Sequence, residues 1–88
     1  MKVLILYRQQ SEQARKVEEF IHDFNRGHPD SHIEVKDIDS REGMALASLY
    51  DLPIQPAILA MREDGQLVQS WQGDNLPLMS EIAYYANS

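Results

Sequence analysis

Two stretches of this chain are apolar without interruption: Val3-Leu4-Ile5-Leu6-Tyr7, within the segment Lys2 to Tyr7, and Ala57-Ile58-Leu59-Ala60-Met61. Runs this short do not make helices, and a strand with one wet side would alternate apolar and polar residues. Each run therefore reads as a strand covered on both faces. Two other segments do alternate. Ile33 and Val35 are interleaved with His32, Glu34 and Lys36, and Gln66 to Trp71 is again mixed in polarity. The apolar pair belongs in the middle of a sheet and the alternating pair on its edges.

Between these strands the period changes. Ala14, Val17, Ile21 and Phe24 form a helical stripe from Ser11 to Phe24 with Phe20 beside it, and Gly27 and Pro29 close it. Ser11 reads as the N-cap of this helix. Asp39 or Ser40 opens a second helix, Asp39 with Glu42 forming a capping-box-like pair, and Met44, Ala47 and Tyr50 give its apolar stripe. Pro53 and Pro56 bracket a break. Asp64-Gly65 marks a hairpin, because its turn requires positive φ. Gly73, Asp74 and Asn75 read as a turn and cap, with Pro77 in the first turn of a last helix through Leu78, Ile82 and Tyr85. The order is β-α-β-α-β-β-α. A right-handed β-α-β unit makes the first two strands parallel and the hairpin makes the last two antiparallel. The expected fold class is α/β: a four-stranded mixed sheet in order 2-1-3-4, first and last helices on one face and the middle helix on the other. At 88 residues this is one domain, 1–88.

Composition removes several functions. The chain has no cysteine, so it is no thiol–disulfide oxidoreductase, a reaction whose agent is a thiolate. A net charge of −6 opposes phosphate backbones, so nucleic acid is not an expected partner. No segment approaches the roughly 18 apolar residues that span a bilayer, and the apolar start is too short for a signal-peptide core. The expected location is cytoplasmic, with no membrane partner. Arg8, Arg15, Lys16 and Arg26 are interleaved with Glu12, Glu18 and Glu19, the pattern of a solvated helix face. His22, His28 and His32, near Asp23 and Asp30, fall on a helix face, a loop and a strand start, and read as solvated surface histidines, not as metal ligands. Asp37 and Asp39 share a strand side, and Asp37 could face inward beneath the second helix. Tyr7, Tyr50 and Trp71 read as core residues with polar tips, and Tyr84-Tyr85 as the exception, a hint of a contact surface. Tyr84 and Tyr85 point about 100° apart on a helix, so one of them is exposed.

Several local signals resemble the thioredoxin and glutaredoxin superfamily. Val35-Lys36-Asp37-Ile38-Asp39, then Tyr50-Asp51-Leu52, is similar to that family's V-D-I-D … Y-G-I stretch. Pro56, six residues after Tyr50, stands where the family carries a cis-proline, and Gly73-Asp74-Asn75-Leu76 resembles its late glycine turn. The family's C-x-x-C positions fall on Ser11 and Ala14, in Ser11-Glu12-Gln13-Ala14. Gln55 replaces the usual β-branched or apolar residue, and the hairpin is one residue longer than in typical thioredoxins. What the resemblance implies is a redox-inactive thioredoxin-like domain that binds a protein or peptide, with no cofactor. Its ligand groove would be framed by Gln9, Gln10 and Ser11, by Ile54, Gln55 and Pro56, and by Gly73, Asp74 and Asn75, the glutamines adding side-chain hydrogen bonds. The alternative is a cysteine-independent enzyme that binds or conjugates glutathione beside Ser11, Gln55 and Asp74; a third reading is a structural or oligomerising domain. Ser11 lacks a neighbouring base for nucleophilic work, so no residue is assigned a catalytic role. No sequence feature sets the oligomeric state.

Overall fold

The computed structural model describes residues 1–73 and 76–87. Seven elements follow one another: β1 (Lys2–Tyr7), α1 (Ala14–Gly27), β2 (Ile33–Asp37), α2 (Arg41–Leu49), β3 (Ala57–Met61), β4 (Leu67–Gln72) and α3 (Met79–Ala86). The sheet order is β2-β1-β3-β4. β1 runs parallel to β2, with Ile5 beside Val35, and antiparallel to β3, with Leu4 beside Leu59. β3 and β4 are antiparallel, Leu59 beside Ser70. As the two apolar runs require, β1 and β3 are central, and Val3 to Tyr7 and Ala57 to Met61 are all buried.

Strand alternation splits this core in two. Val3, Ile5, Tyr7, Ile58 and Ala60 face α1 and α3, where they meet Ala14, Val17, Phe24, Ile82 and Ala83. Leu4, Leu6, Ala57, Leu59 and Met61 face the other way, onto Leu46, Ala47, Tyr50 and Leu52 of α2 and its exit. Adjacent residues of one strand thus serve opposite layers, which is why neither Val3–Tyr7 nor Ala57–Met61 carries a charged residue. The fold class and helix placement are as the sequence implies.

The helix ends match expectation only in part. α1 begins at Ala14, and its N-cap position is Gln13, whose side chain caps nothing. Ser11 lies ahead of the helix in a turn: its hydroxyl donates to the Arg8 carbonyl at 2.7 Å, and its own carbonyl accepts the Ala14 N–H at 3.2 Å. Committed to that turn, Ser11 cannot serve as the cap. At α2, Ser40 is the cap: its backbone is extended and its Oγ accepts the Gly43 N–H at 3.0 Å. Glu42 completes no capping box with Asp39 but pairs with Lys36 at 3.0 Å, a hydrogen bond that raises the lysine pKa. The inward stripe of α2 is the buried Gly43 with the partly buried Leu46 and Ala47, continued by Tyr50 at its C-cap, while Met44 is 56% exposed. α3 begins at Met79 with Leu78 at the cap position, so Pro77 precedes the helix. Asp74 and Asn75, part of the expected turn and cap, lie outside the described residues.

The hairpin turn closes on Gly65 at φ 91°, and Asp64 Oδ1 accepts the Gln66 N–H at 3.0 Å. Tyr50 donates its hydroxyl proton to the Gly65 carbonyl, tying the end of α2 to that turn. The ladder shifts register between Ala60/Gln69 and Met61/Leu67, which leaves Val68 as a bulge on β4. His28 is not a free surface histidine: its ring stacks on Phe24 at 4.9 Å beside the end of α1. Tyr84 is exposed and Tyr85 half-buried against Trp71, edge to face at 5.7 Å.

Candidate functional site

Register decides which loops can share a site. Leu6 stands beside Ala57 and Ala57 beside Gln72, while Tyr7 stands beside Asp37. The chain leaves β1, β2 and β4, and enters β3, at this one end of the sheet. The expected groove residues Gln9 to Ser11, Ile54 to Pro56 and Gly73 all lie there. Asp74 and Asn75 are outside the described residues.

The three loops do not close on one another equally. The loop before β3 is bound to the end of β4: the Ile54 N–H donates to Gln72 Oε1 at 3.3 Å, and the Gly73 N–H to the Pro56 carbonyl at 3.0 Å. Gly73 sits at φ 95°, and a Cβ there would be 3.9 Å from Ile54 Cγ2. The Gln55–Pro56 peptide is cis. Pro56 is buried and Gln55 half-buried, whereas Ile54 is 55% exposed. Gln55 turns its own amide inward, Nε2 donating to the Leu52 carbonyl at 3.0 Å.

The loop after β1 is held to the opposite side. The Arg8 guanidinium reaches both carboxylate oxygens of Asp39, at 3.1 and 3.3 Å, in the turn leading from β2 to α2. Asp37 is half-buried and its Oδ1 accepts the Asp39 N–H at 3.0 Å, so both aspartates shape that turn. Among the described residues no hydrogen bond joins Gln9, Gln10 or Ser11 to Ile54, Gln55 or Pro56. Gln9 and Gln10 are exposed. The sequence reading missed Gln72, Arg8 and Asp39. Counting back from the Asp64-Gly65 turn would have placed Gln72 beside Ala57; nothing local signals the Arg8–Asp39 pair.

The chemistry open to this end of the molecule is binding chemistry. Ser11 gives its hydroxyl proton to a carbonyl, which is no proton-accepting base. The Tyr7 hydroxyl, at the part-buried tip of a buried side chain, donates to Glu18 Oε1 at 3.3 Å, and burial, then the Glu18 charge, hold its pKa above the usual tyrosine value. Tyr7 is therefore a proton-retaining structural phenol at neutral pH. Among the described residues no three His, Cys, Asp or Glu gather to hold a metal ion. A depression of about 370 Å³ lined by Arg15, Glu18, Glu19, His22 and Asp23 lies on α1 alone, where Arg15 pairs with Glu19 at 3.6 Å and Asp23 with Arg26 at 3.1 Å. Among the described residues no helix is long and apolar enough to cross a membrane.

With neither cysteine position filled, purified protein should reduce insulin disulfides at the rate of buffer alone. Turbidity assays with a reductase-coupled supply of electrons would measure this, and activity above background would refute the reading.

No protein-family model matches the chain. No curated protein matches it. Solved structures do. Mitochondrial thioredoxin 3 from Saccharomyces cerevisiae in its oxidised form superposes with a TM-score of 0.68 at 18% identity, covering 97% of this chain and 74% of that one. The same values hold for a structure concerned with the thiol resolving mechanism of yeast mitochondrial 1-Cys peroxiredoxin via glutathione and thioredoxin systems. Thioredoxin of Fasciola hepatica also superposes at 0.68 and 18% identity, with 97% of this chain and 76% of that one covered. These likenesses show that the chain has a thioredoxin-like fold, here in a sequence without cysteine.

Proposed function

We propose that this chain is a redox-inert, cytoplasmic binding module that takes an extended segment of another protein along the loop before Pro56. The observation carrying this reading is the state of the Gln55 backbone. Among the described residues neither its N–H nor its carbonyl meets a hydrogen-bond partner, although the same loop is fastened on both sides by Gln72 and Gly73. An extended peptide supplies one acceptor and one donor to such a residue, as when a strand is added to a sheet. Ile54, 55% exposed beside that backbone, offers the apolar contact that a bare pair of hydrogen bonds lacks. The Gln55 side chain, folded onto Leu52, shapes the loop and leaves recognition to its backbone.

The test is selection of linear peptides from a displayed library against the whole chain, followed by titration of a selected peptide by NMR. Shifts should centre on Ile54, Gln55 and Gly73. Ile54→Asp should weaken binding by about ten-fold or more, since covering an isoleucine side chain is worth roughly 1.5–3 kcal/mol. The substitution is on an exposed side chain, so the unfolding midpoint should stay near that of the wild type. Shifts confined to Tyr84 and Tyr85, with the loop silent, would move the interface to α3 and sink the proposal.

A further inference from the structure

The two edges of the sheet are built differently. β2, Ile33-Glu34-Val35-Lys36-Asp37, carries three charged residues in five. β4, Leu67-Val68-Gln69-Ser70-Trp71-Gln72, carries no charge, no proline and no glycine in six residues, and none of the six is buried. This lies in a chain with 25% charged residues and a net charge of −6. Edge strands are ordinarily guarded by charge or proline, because their open backbone groups pair with any strand that arrives. β4 has neither guard; its one irregularity is the bulge at Val68.

The phase of the ladder shows which groups are open. Gly73 N–H bonds to Pro56, and the pair continues the register of Ala57 with Gln72 and Ile58 with Trp71. Hydrogen-bonded pairs alternate along an antiparallel ladder. Trp71 and Gln69 therefore bond to β3, while Ser70 and Gln72 turn their backbone N–H and carbonyl groups away from the sheet. Of these, the Ser70 N–H is covered by the side chain of its own neighbour, Gln69 Oε1, at 3.0 Å. That local bond confirms the phase, and it can be exchanged for a carbonyl of another strand.

We infer that β4 is a self-association edge, at which two copies of this chain pair their β4 strands antiparallel about a two-fold axis at Ser70. An open row of backbone groups specifies a strand as its occupant, and the charge pattern selects which. In this pairing Ser70 faces Ser70 of the second copy, Gln69 faces Trp71, and Val68 faces Gln72. Every cross-strand neighbour is uncharged, so no like-charge cost opposes it. Two four-stranded sheets become one of eight strands with β2 at each outer edge, and the half-exposed Trp71 gains cover. The acidic remainder of each copy opposes approach at long range, so the dimer is weak and strengthens as salt screens that repulsion. An interface held by ion pairs would respond to salt in the opposite sense.

Sedimentation equilibrium on the full chain tests this, from about 0.01 to about 1 mM protein and from about 0.05 to about 0.5 M salt. The mean mass should rise toward the dimer with concentration, and further with salt. Ser70→Lys and Ser70→Glu should each weaken self-association by up to about five-fold through like charges facing across the axis, and their equimolar mixture should dimerise again. Val35→Lys, on the guarded edge, should change nothing. Unfolding midpoints verify that the Ser70 variants are folded. Independently of any variant, exchange of the Gln72 amide proton in the wild type should slow as concentration rises. A chain that stays monomeric throughout overturns the inference and leaves this edge to a strand from another protein. A dimer that neither Ser70 charge variant weakens overturns it by placing the interface elsewhere, and a mixture that stays monomeric overturns the two-fold register.

Discussion

Gly43→Ala should cost this protein about 2–3 kcal/mol of stability, the reverse of what helix propensity alone predicts. In an exposed helix, exchanging glycine for alanine gains up to about 1 kcal/mol. Here a Cβ would stand 2.0 Å from the Asp37 carbonyl oxygen, 2.8 Å from its carbon and 3.1 Å from Ile38 Cα. All three are backbone atoms, so no side-chain rotation relieves the overlap. The Asp37 carbonyl cannot swing away cheaply either. It accepts the Ser40 N–H at 3.0 Å and the Ser40 hydroxyl at 2.6 Å, and Ser40 caps α2. The helix must therefore retreat from the β2–α2 turn by more than an ångström, loosening Leu46, Ala47 and Tyr50 on Leu4, Leu6 and Leu59. Overpacking of this kind costs about 1–3 kcal/mol and the strained cap adds up to about 1, which outweighs the propensity gain. In a domain of this size the unfolding midpoint should fall by roughly 10–20 °C. Ala45→Gly, on the exposed face of the same helix, should lose only about 1 kcal/mol. A Gly43→Ala variant melting with the wild type would mean that α2 does not rest on Asp37.

Gly43 also illustrates which parts of the molecule could be read from the chain. The sheet was legible because burial on both faces demands unbroken apolar runs, and Val3–Tyr7 and Ala57–Met61 have no other reading at that length. Strand order followed from the contrast with Ile33–Asp37 and Leu67–Gln72, and the hairpin from the positive φ that Gly65 supplies. Close backbone approach at Gly43 left no such trace, since a glycine inside a helical segment is locally just a weak helix former. Caps were legible only in part, for a related reason. Ser11, Asp39 and Ser40 have equally suitable side chains, and only backbone conformation and competing bonds choose among them: Ser11 is spent on Arg8, and Ser40 alone reaches the Gly43 N–H. The groove was legible as far as register carried it, which placed Ile54 to Pro56 beside the end of β4. Beyond that, Arg8 meets Asp39 across 31 residues, drawing Gln9 to Ser11 toward the β2 side. A contact of that sequence separation has no local signature. The inward turn of the Gln55 amide is equally silent, because polarity says that a side chain needs a partner and not where it finds one.

Phe24→Ala should come close to unfolding the protein. Phe24 is fully buried, the first among the largest buried side chains, and belongs to the core layer that α1 and α3 share with one face of the sheet. Truncating a phenylalanine in such a place costs about 3–5 kcal/mol, part transfer and part cavity. Total stability at 0.05–0.15 kcal/mol per residue comes to about 4–13 kcal/mol for a chain this long, so one substitution removes a large share of it. The loss is local to one layer. Phe24 also carries the stacked His28 ring at 4.9 Å, and its carbonyl accepts the His28 N–H at 2.8 Å, so the end of α1 should fray with the ring gone. The loop before Pro56 stands on different supports, namely Leu52 in the opposite core layer and Gln72 and Gly73 at the end of β4. At low temperature, where the variant is still folded, its selected-peptide affinity should equal that of the wild type. Its urea midpoint should drop steeply, and Phe24→Leu, which leaves a smaller cavity, should recover part of the loss. Phe20→Ala, at a half-buried site on the same helix, should cost clearly less. A Phe24→Ala variant within about 1 kcal/mol of the wild type would mean that the layer beneath α1 is not the close-packed core described by Val3, Ile5, Val17 and Ile82.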